Sequence, residues 1–119
     1  MGKVEYEALQ EWILLLPNVS RAPHRFGGTE FQANGLEFMH SHGYSHLDIR
    51  LSKEAQTQIL KEGKAEEHRF APQAGWVTFI LRSQEDMARV KEVIELAYTN
   101  AREVMAAHET RNTLTPPKA

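Results

Sequence analysis

The hydrophobic residues near both ends of the chain recur every three or four positions, a spacing typical of amphipathic helices. This spacing predicts a first helix from Val4 to Leu16, which Pro17 ends because proline disfavours helical geometry in the residue before it. It also predicts a last helix from Gln84 to His108. Residues 109–119 are polar and have no period, so we expect a single domain at 1–108 followed by a flexible C-terminal tail.

The middle of the chain consists of short segments with strand character, separated by the dipeptides Gly27-Gly28, Asn34-Gly35 and Gly43-Tyr44. A short helix, Lys53–Glu62, and a fifth strand, Trp76–Arg82, follow. The order α-β-β-β-β-α-β-α predicts an α+β fold: a four-stranded antiparallel meander plus a fifth strand, with helices packed on one face. The four strands of the meander are predicted at Val19–Phe26, Thr29–Ala33, Leu36–His42 and Ser45–Leu51.

If each of these turns has two residues, the pairing of the strands is fixed. Phe31, Phe38 and Ile49 then lie side by side on a buried face, and the charged residues segregate to the other face. This register separates the histidines of the two central strands. His24, His40 and His42 are expected on the buried face, whereas His46 and Asp48 are expected on the charged face.

A metal site with two histidines and an aspartate would need a different register. A slip of one residue would place His40 opposite Asp48, but it would also pair Phe38 with Arg50, so the hydrophobic pattern argues against it. His40 and His42 could still offer imidazole ligands to zinc or iron, since alternate strand residues share a face. Two histidines are not a complete site, and we expect no metal and no cofactor.

Composition excludes several classes of function. The 119 residues include no cysteine, which excludes disulfides, thiolate metal sites and cysteine nucleophiles. A net charge of -2 lacks the basic excess of most nucleic-acid-binding proteins, and we expect no tight binding to duplex DNA. No apolar run approaches the length of a membrane span, and no basic-then-apolar leader is present, so we expect a cytoplasmic protein without a membrane partner. No serine lies in a Gly-x-Ser-x-Gly motif, so we do not expect a hydrolase with a serine nucleophile.

The candidate site is the sheet end that carries the Gly43-Tyr44 turn. We expect its ligand-binding residues to be His24, His40, His42, Trp76 and His68. A histidine on a buried face must find a hydrogen-bond partner, which an ordinary core histidine also does. Glu66, Glu67 and His68 could perform acid-base chemistry, although charged runs of this kind are usually solvated loops.

Several segments of the chain together resemble the luciferase-domain family, a family of unknown function. The resemblance runs over Leu16–Tyr98 and implies a small α+β domain. No flavin or nucleotide-binding loop is present, so the family label implies no light-emitting chemistry for this chain. The segments that carry the resemblance are Pro23–Gly28 (PHRFGG) with Glu30-Phe31, His40–Gly43 (HSHG), Asp48-Ile49 and Gly75–Val77 (GWV).

The element order also resembles, more weakly, the MmcQ/YjbR-like fold, some of whose members are described as double-wing and DNA-binding-like.

Three functions follow as expectations. The first is a non-catalytic binding or accessory module whose pocket, lined by histidines and Trp76, takes an unknown small molecule or protein partner. The alternative is a small histidine-dependent enzyme, with or without a metal, and the third is a double-wing-like DNA-binding protein.

Overall fold

A six-stranded antiparallel sheet is the centre of the fold. The computed structural model describes residues 2–114, with side chains for residues 2–109. The strands are β1 (Val19–Pro23), β2 (Thr29–Ala33), β3 (Leu36–His42), β4 (His46–Arg50), β5 (Glu66–Glu67) and β6 (Trp76–Ile80). Strands β1 to β4 form the predicted meander, and β6 pairs with β4 on its far side, so that the strand order is β1-β2-β3-β4-β6-β5.

Three helices complete the α+β fold, in the predicted order along the chain: α1 (Lys3–Leu14), α2 (Lys53–Lys61) and α3 (Asp86–Leu114). Helices α1 and α3 contact the sheet, and α2 adds the buried Ile59 to the same core. The helix α3 continues past His108, where we expected it to end, and residues 115–119 of the expected tail lie outside the described residues. Among the described residues, no helix combines the length and apolar character that a membrane span needs.

The predicted turn at Gly27-Gly28 is wrong. Strand β1 ends at Pro23, which pairs with Thr29, and a five-residue loop, 24–28, joins the two strands. A two-residue turn of type I′ needs positive φ at both residues, but Gly28 is extended at φ -75°. Glycine is needed there for another reason: a Cβ on Gly28 would lie 2.6 Å from the backbone oxygen of Ser41.

The predicted turn at Asn34-Gly35 is confirmed, but the strands that it joins contain an irregularity. Asn34 and Gly35 both have positive φ, as the type I′ turn requires. The pairing shifts by one residue between Gln32, which faces Glu37, and Phe31, which faces Met39. Phe38 is therefore the extra residue of a β-bulge. Phe38 and Met39 are consecutive in the chain and both are buried in the core.

The connection between β3 and β4 has three residues, 43–45, instead of the predicted two. Gly43 has positive φ but Tyr44 does not, so these residues do not form a type I′ turn. His42 pairs with His46, and His40 pairs with Asp48. The expected register, with Phe38 beside Ile49, is wrong, and the pairing that the hydrophobic pattern argued against is the one that forms.

The bulge and the longer loop decide which face of the sheet carries the histidines. Ser41 faces the helices, since its hydroxyl hydrogen-bonds the hydroxyl of Tyr6 on α1. His40 and His42 alternate with Ser41 and therefore lie on the opposite face. The prediction that His24, His40 and His42 lie on the core face is wrong. Instead, they share the face opposite α1 and α3 with His46 and Asp48.

Candidate functional site

Five of the six histidines form a cluster, and four of them direct Nε2 at the carboxylate of Asp48. Asp48 is 4% exposed and lies in the middle of the sheet, between His40 on β3 and Thr78 on β6. His40 Nε2 lies 3.0 Å from Asp48 Oδ2, and His46 Nε2 lies 3.1 Å from Oδ1. The Nε2 atoms of His42 and His68 are 3.8 Å and 3.7 Å from Oδ2. His24 reaches the group by stacking on His40.

Asp48 is held in its ionised form. Burial alone would raise the pKa of its carboxyl, but hydrogen bonds from His40 and Thr78 outweigh this effect. Thr78 Oγ1 donates to Asp48 Oδ1 over 2.8 Å. The charges of His46 and His40 lower the pKa further, so that it lies well below its usual range. The centre of the site therefore carries a fixed negative charge that its neighbours balance.

His40 has a carboxylate on each side of its ring. Its Nε2 faces Asp48 at 3.0 Å, and its Nδ1 faces Glu37 Oε1 at 3.2 Å. Ionised carboxylates only accept hydrogen bonds, so an imidazole that bonds to both must carry both protons. Burial lowers the pKa of His40, but the hydrogen bonds to Asp48 and Glu37 outweigh it and raise the pKa above its ordinary value. The geometry and the pKa both favour an imidazolium at this position.

The ring of His24 stacks on that of His40, with centroids 4.0 Å apart and planes inclined by 11°. His24 Nδ1 lies 3.2 Å from Glu30 Oε1, which makes Nδ1 the donor. Glu30 also accepts a hydrogen bond from Gln32, and these contacts lower the pKa of its carboxyl. The ring of His24 is therefore held by the stacked ring of His40 on one side and by the carboxylate of Glu30 at Nδ1.

His42 differs from His40 although the two residues share a strand and a face. Their ring centroids are 5.1 Å apart, but the side chain of His42 is 37% exposed. Partial burial lowers the pKa of His42, and the neighbouring charge of His40 lowers it further. The structure therefore places a ring that favours the neutral form beside a ring that favours the charged form.

The fifth histidine, His68, comes from the loop before β6. Its Nδ1 accepts hydrogen bonds from the backbone amides of Phe70 at 3.1 Å and Ala71 at 2.9 Å. The ring is packed against Trp76, with centroids 6.1 Å apart, and Trp76 also lies 5.0 Å from His40. Trp76 therefore packs against two of the histidines.

The histidines line a cleft of about 680 Å³ that is flanked by two loops. Each loop carries the tripeptide His-Arg-Phe, at residues 24–26 and at residues 68–70. The two phenylalanines are among the most exposed apolar residues described: Phe26 is 98% exposed and Phe70 is 81% exposed. The cleft thus combines a polar floor of imidazole and carboxylate groups with apolar and cationic side chains at its rim.

Three groups of side chains bring metal-ligating atoms within 4.8 Å of one another, and each has a feature that argues against coordination. In the group His24, His40 and His42, the stacked rings direct their in-plane lone pairs into separate parallel planes, so one ion cannot lie in both. In the group His40, Asp48 and His68, a neutral His68 that accepts two amides at Nδ1 carries its proton on Nε2.

The third group is His24 with Glu30 and Glu37. Its carboxylates already accept hydrogen bonds, Glu30 from Gln32 and His24, and Glu37 from His40. These contacts favour protons over a metal ion in this group.

The structure brings together all five of the residues predicted for the site: His24, His40, His42, His68 and Trp76. Their role in binding a ligand stays a prediction. The sequence interpretation missed Asp48 and His46 because the expected register placed them on the other face. One signal of the error was available: Phe38-Met39 breaks the alternation of apolar and polar residues in the third strand. A separate signal pointed to the cleft itself: the tripeptide His-Arg-Phe occurs twice, once in each of the two loops that flank it.

A family model described as "Luciferase domain" matches residues 35–97, which is more than half of the chain. The chain belongs to the luciferase domain family. The match includes four of the five clustered histidines together with Asp48 and Trp76, whereas His24 lies before it. No match was found among curated proteins. The resemblance to the MmcQ/YjbR-like fold stays a prediction.

Proposed function

We propose that this luciferase-domain protein binds a small molecule in the histidine cleft and removes a proton from it with His42. The observation that carries the proposal is a cluster of five histidines, four of which approach one buried aspartate at the floor of an open cleft. Concave sites with a few convergent polar groups among apolar walls are the usual places for ligands. Groups of titratable residues with strong mutual interactions are typical of catalytic sites.

The two central histidines support different roles. His40 is 9% exposed and its ring nitrogens are both engaged by carboxylates, so its protons are not available to a ligand. It acts as a fixed positive charge under the floor of the cleft. His42 is more exposed, and its environment keeps the ring in the neutral form that accepts a proton. Environments that separate the pKa values of neighbouring groups assign their roles in this way.

The reaction class is proton abstraction from an acidic C–H, N–H or O–H group of the bound molecule. The ligand gives its proton to His42 and keeps the electron pair, so negative charge develops on the ligand. Arg25 and Arg69 line the cleft, one in each flanking loop, and could stabilise that charge. His42 then gives this proton to a different atom of the ligand anion, so that the product is an isomer of the ligand and the ring is neutral again.

A non-catalytic binding module, the first expectation from the sequence, is the second candidate. The exposed aromatic rings of Phe26 and Phe70 favour it, since they offer apolar contact area at the rim of the cleft without any chemical role. In that case the histidines would bind and orient the ligand by hydrogen bonds alone.

The two candidates differ in whether the bound molecule changes. The purified protein, treated with a chelator, is incubated with a small-molecule extract. Chromatography coupled to mass spectrometry, which separates isomers of equal mass, follows which molecules are consumed or formed. We expect turnover by wild type and by the exposed control His108→Gln, and none by His42→Gln. A molecule that is retained unchanged by all three proteins supports the binding module. Turnover that persists in His42→Gln would show that His42 is not the base.

A further inference from the structure

We infer that His68 is locked as the tautomer with its proton on Nε2, and that this N–H donates a hydrogen bond to a neutral carbonyl oxygen of the bound molecule. The inference rests on the proposed function for its ligand, but the tautomer of His68 can be measured without any ligand. The role assigned to His68 is positioning: it holds one oxygen of the molecule while another group removes the proton.

The tautomer follows from the loop that carries His68. The amides of Phe70 and Ala71 both point at Nδ1, at 3.1 Å and 2.9 Å. A backbone N–H is always a donor, so Nδ1 must present its lone pair to them. The neutral ring has one proton, which is therefore on Nε2. Rotating the ring by 180° would place a C–H group against the two amides, so the hydrogen bonds also fix the orientation of the ring.

Among the described residues, none accepts a hydrogen bond from Nε2 of His68. Nε2 lies 3.7 Å from Asp48 Oδ2, which is longer than a hydrogen bond, and His68 lines the cleft. The contact of His68 with Trp76 supports the ring from the side. An oxygen atom bound in the cleft beside Asp48 can therefore accept from Nε2.

The charge of Asp48 selects the kind of oxygen. An anionic oxygen at this place would be repelled by the buried carboxylate of Asp48 in the ground state, whereas a neutral carbonyl oxygen would not. The ligand class is therefore a neutral carbonyl compound.

The tautomer is tested by ¹⁵N NMR of histidine-labelled protein at about pH 9, above the ordinary pKa of histidine. Long-range ¹H–¹⁵N correlations distinguish the two neutral tautomers directly. We expect His68 to show an unprotonated Nδ1 and a protonated Nε2, and to keep this pattern when Zn²⁺ is added. A protonated Nδ1, or a Zn²⁺-bound Nε2, would overturn the inference.

The ligand class is tested with cyclohexanone, a neutral carbonyl compound with an apolar body. We expect its addition to shift the Nε2–H resonance of His68, and we expect His68→Asn to bind it about fivefold more weakly. Asparagine is the matched replacement, because its Oδ1 can accept from the amides of Phe70 and Ala71 but it offers no donor at the Nε2 position. Absence of a shift at His68, or equal binding by both proteins, would overturn the ligand assignment.

The outcomes separate this inference from the proposed function. If His42→Gln abolishes turnover while His68 is protonated on Nδ1, only the inference about His68 fails. If His68 has the expected tautomer and responds to cyclohexanone but no turnover is found, only the proton-abstraction proposal fails.

Discussion

At the scale of single residues, the site depends on Asp48. It accepts hydrogen bonds from His40, His46 and Thr78, and each of these residues comes from a different strand. A buried carboxylate with three donors holds those donors in place as much as they hold it. Its charge is also what keeps His40 protonated. Removing the charge while retaining the shape is therefore the sharpest single change to the site.

Asp48→Asn is expected to lower the free energy of unfolding by about 1–3 kcal/mol at neutral pH, because charge-assisted hydrogen bonds become neutral ones. The pKa of Asp48 is lowered in the fold, so its contribution is present above its ordinary value of 3.8 and is lost as the pH falls through the lowered pKa. Urea denaturation measures the free energy of unfolding of both proteins, and the difference between wild type and Asp48→Asn should become smaller in acid.

The exposed control for this substitution is Glu85→Gln, which should leave the free energy of unfolding nearly unchanged. If Asp48→Asn were as stable as this control at neutral pH, the carboxylate would not be the centre of the hydrogen-bond network.

The sequence predicted the site unevenly at this scale. His24, His40, His42, His68 and Trp76 were predicted as neighbours, and the structure brings them together. Asp48 was assigned to the other face because its position depends on the register of β3 and β4. The residue type alone carries no information on the face that it occupies. The hydrogen bonds that fix His68 come from backbone amides, which no side-chain pattern in the sequence reveals.

At the scale of elements, the β-bulge at Phe38 creates the site. Without it, alternation along β3 would put His40 on the same face as Phe38, in the core. The extra residue allows Phe38 and Met39 both to enter the core, where Phe38 packs against Tyr98 of α3. His40 is thereby turned to the open face of the sheet. The apolar packing of two consecutive residues thus compensates for the ladder bond that the bulge interrupts.

Alanine substitutions test the bulge. Phe38→Ala should cost about 3–5 kcal/mol and Met39→Ala about 2–5 kcal/mol in free energy of unfolding, because both side chains are fully packed. Phe26→Ala is the control and should change the free energy of unfolding by less than about 0.5 kcal/mol, since Phe26 is exposed. Without a bulge, Met39 would lie on the charged face. A Met39→Ala variant as stable as the Phe26→Ala control would therefore contradict the structure.

The elements themselves were predicted well, and the connections between them were not. Helical spacing located α1 and α3, and the Asn34-Gly35 dipeptide located its turn because both residues readily take positive φ. The dipeptides Gly27-Gly28 and Gly43-Tyr44 gave no such guidance. Gly28 is a glycine because Ser41 approaches it closely, which is a tertiary contact. A loop length that is fixed by tertiary contacts cannot be read from the local sequence.

At the scale of the whole molecule, the sheet has two different faces. One face packs on α1 and α3 and forms the core, while the other carries the histidine cleft between two loops. The α+β class and the order of helices and strands followed from hydrophobic spacing. Membership in the luciferase domain family places most of the clustered residues within one family model, but a fold or family alone does not define a reaction. The chemistry has to be tested at the histidines.

The most direct test of the account is a site-resolved NMR titration of the histidine side chains between about pH 4 and pH 10. The central claim is that neighbouring rings in the cleft are held in opposite protonation states. We predict that His40 titrates above the ordinary value of 6.5 and His42 below it. The two carboxylates that bond to His40, and the burial and positive neighbour of His42, are the reasons. If His42 titrated at the same pH as His40 or above it, the assignment of His42 as the base would be contradicted.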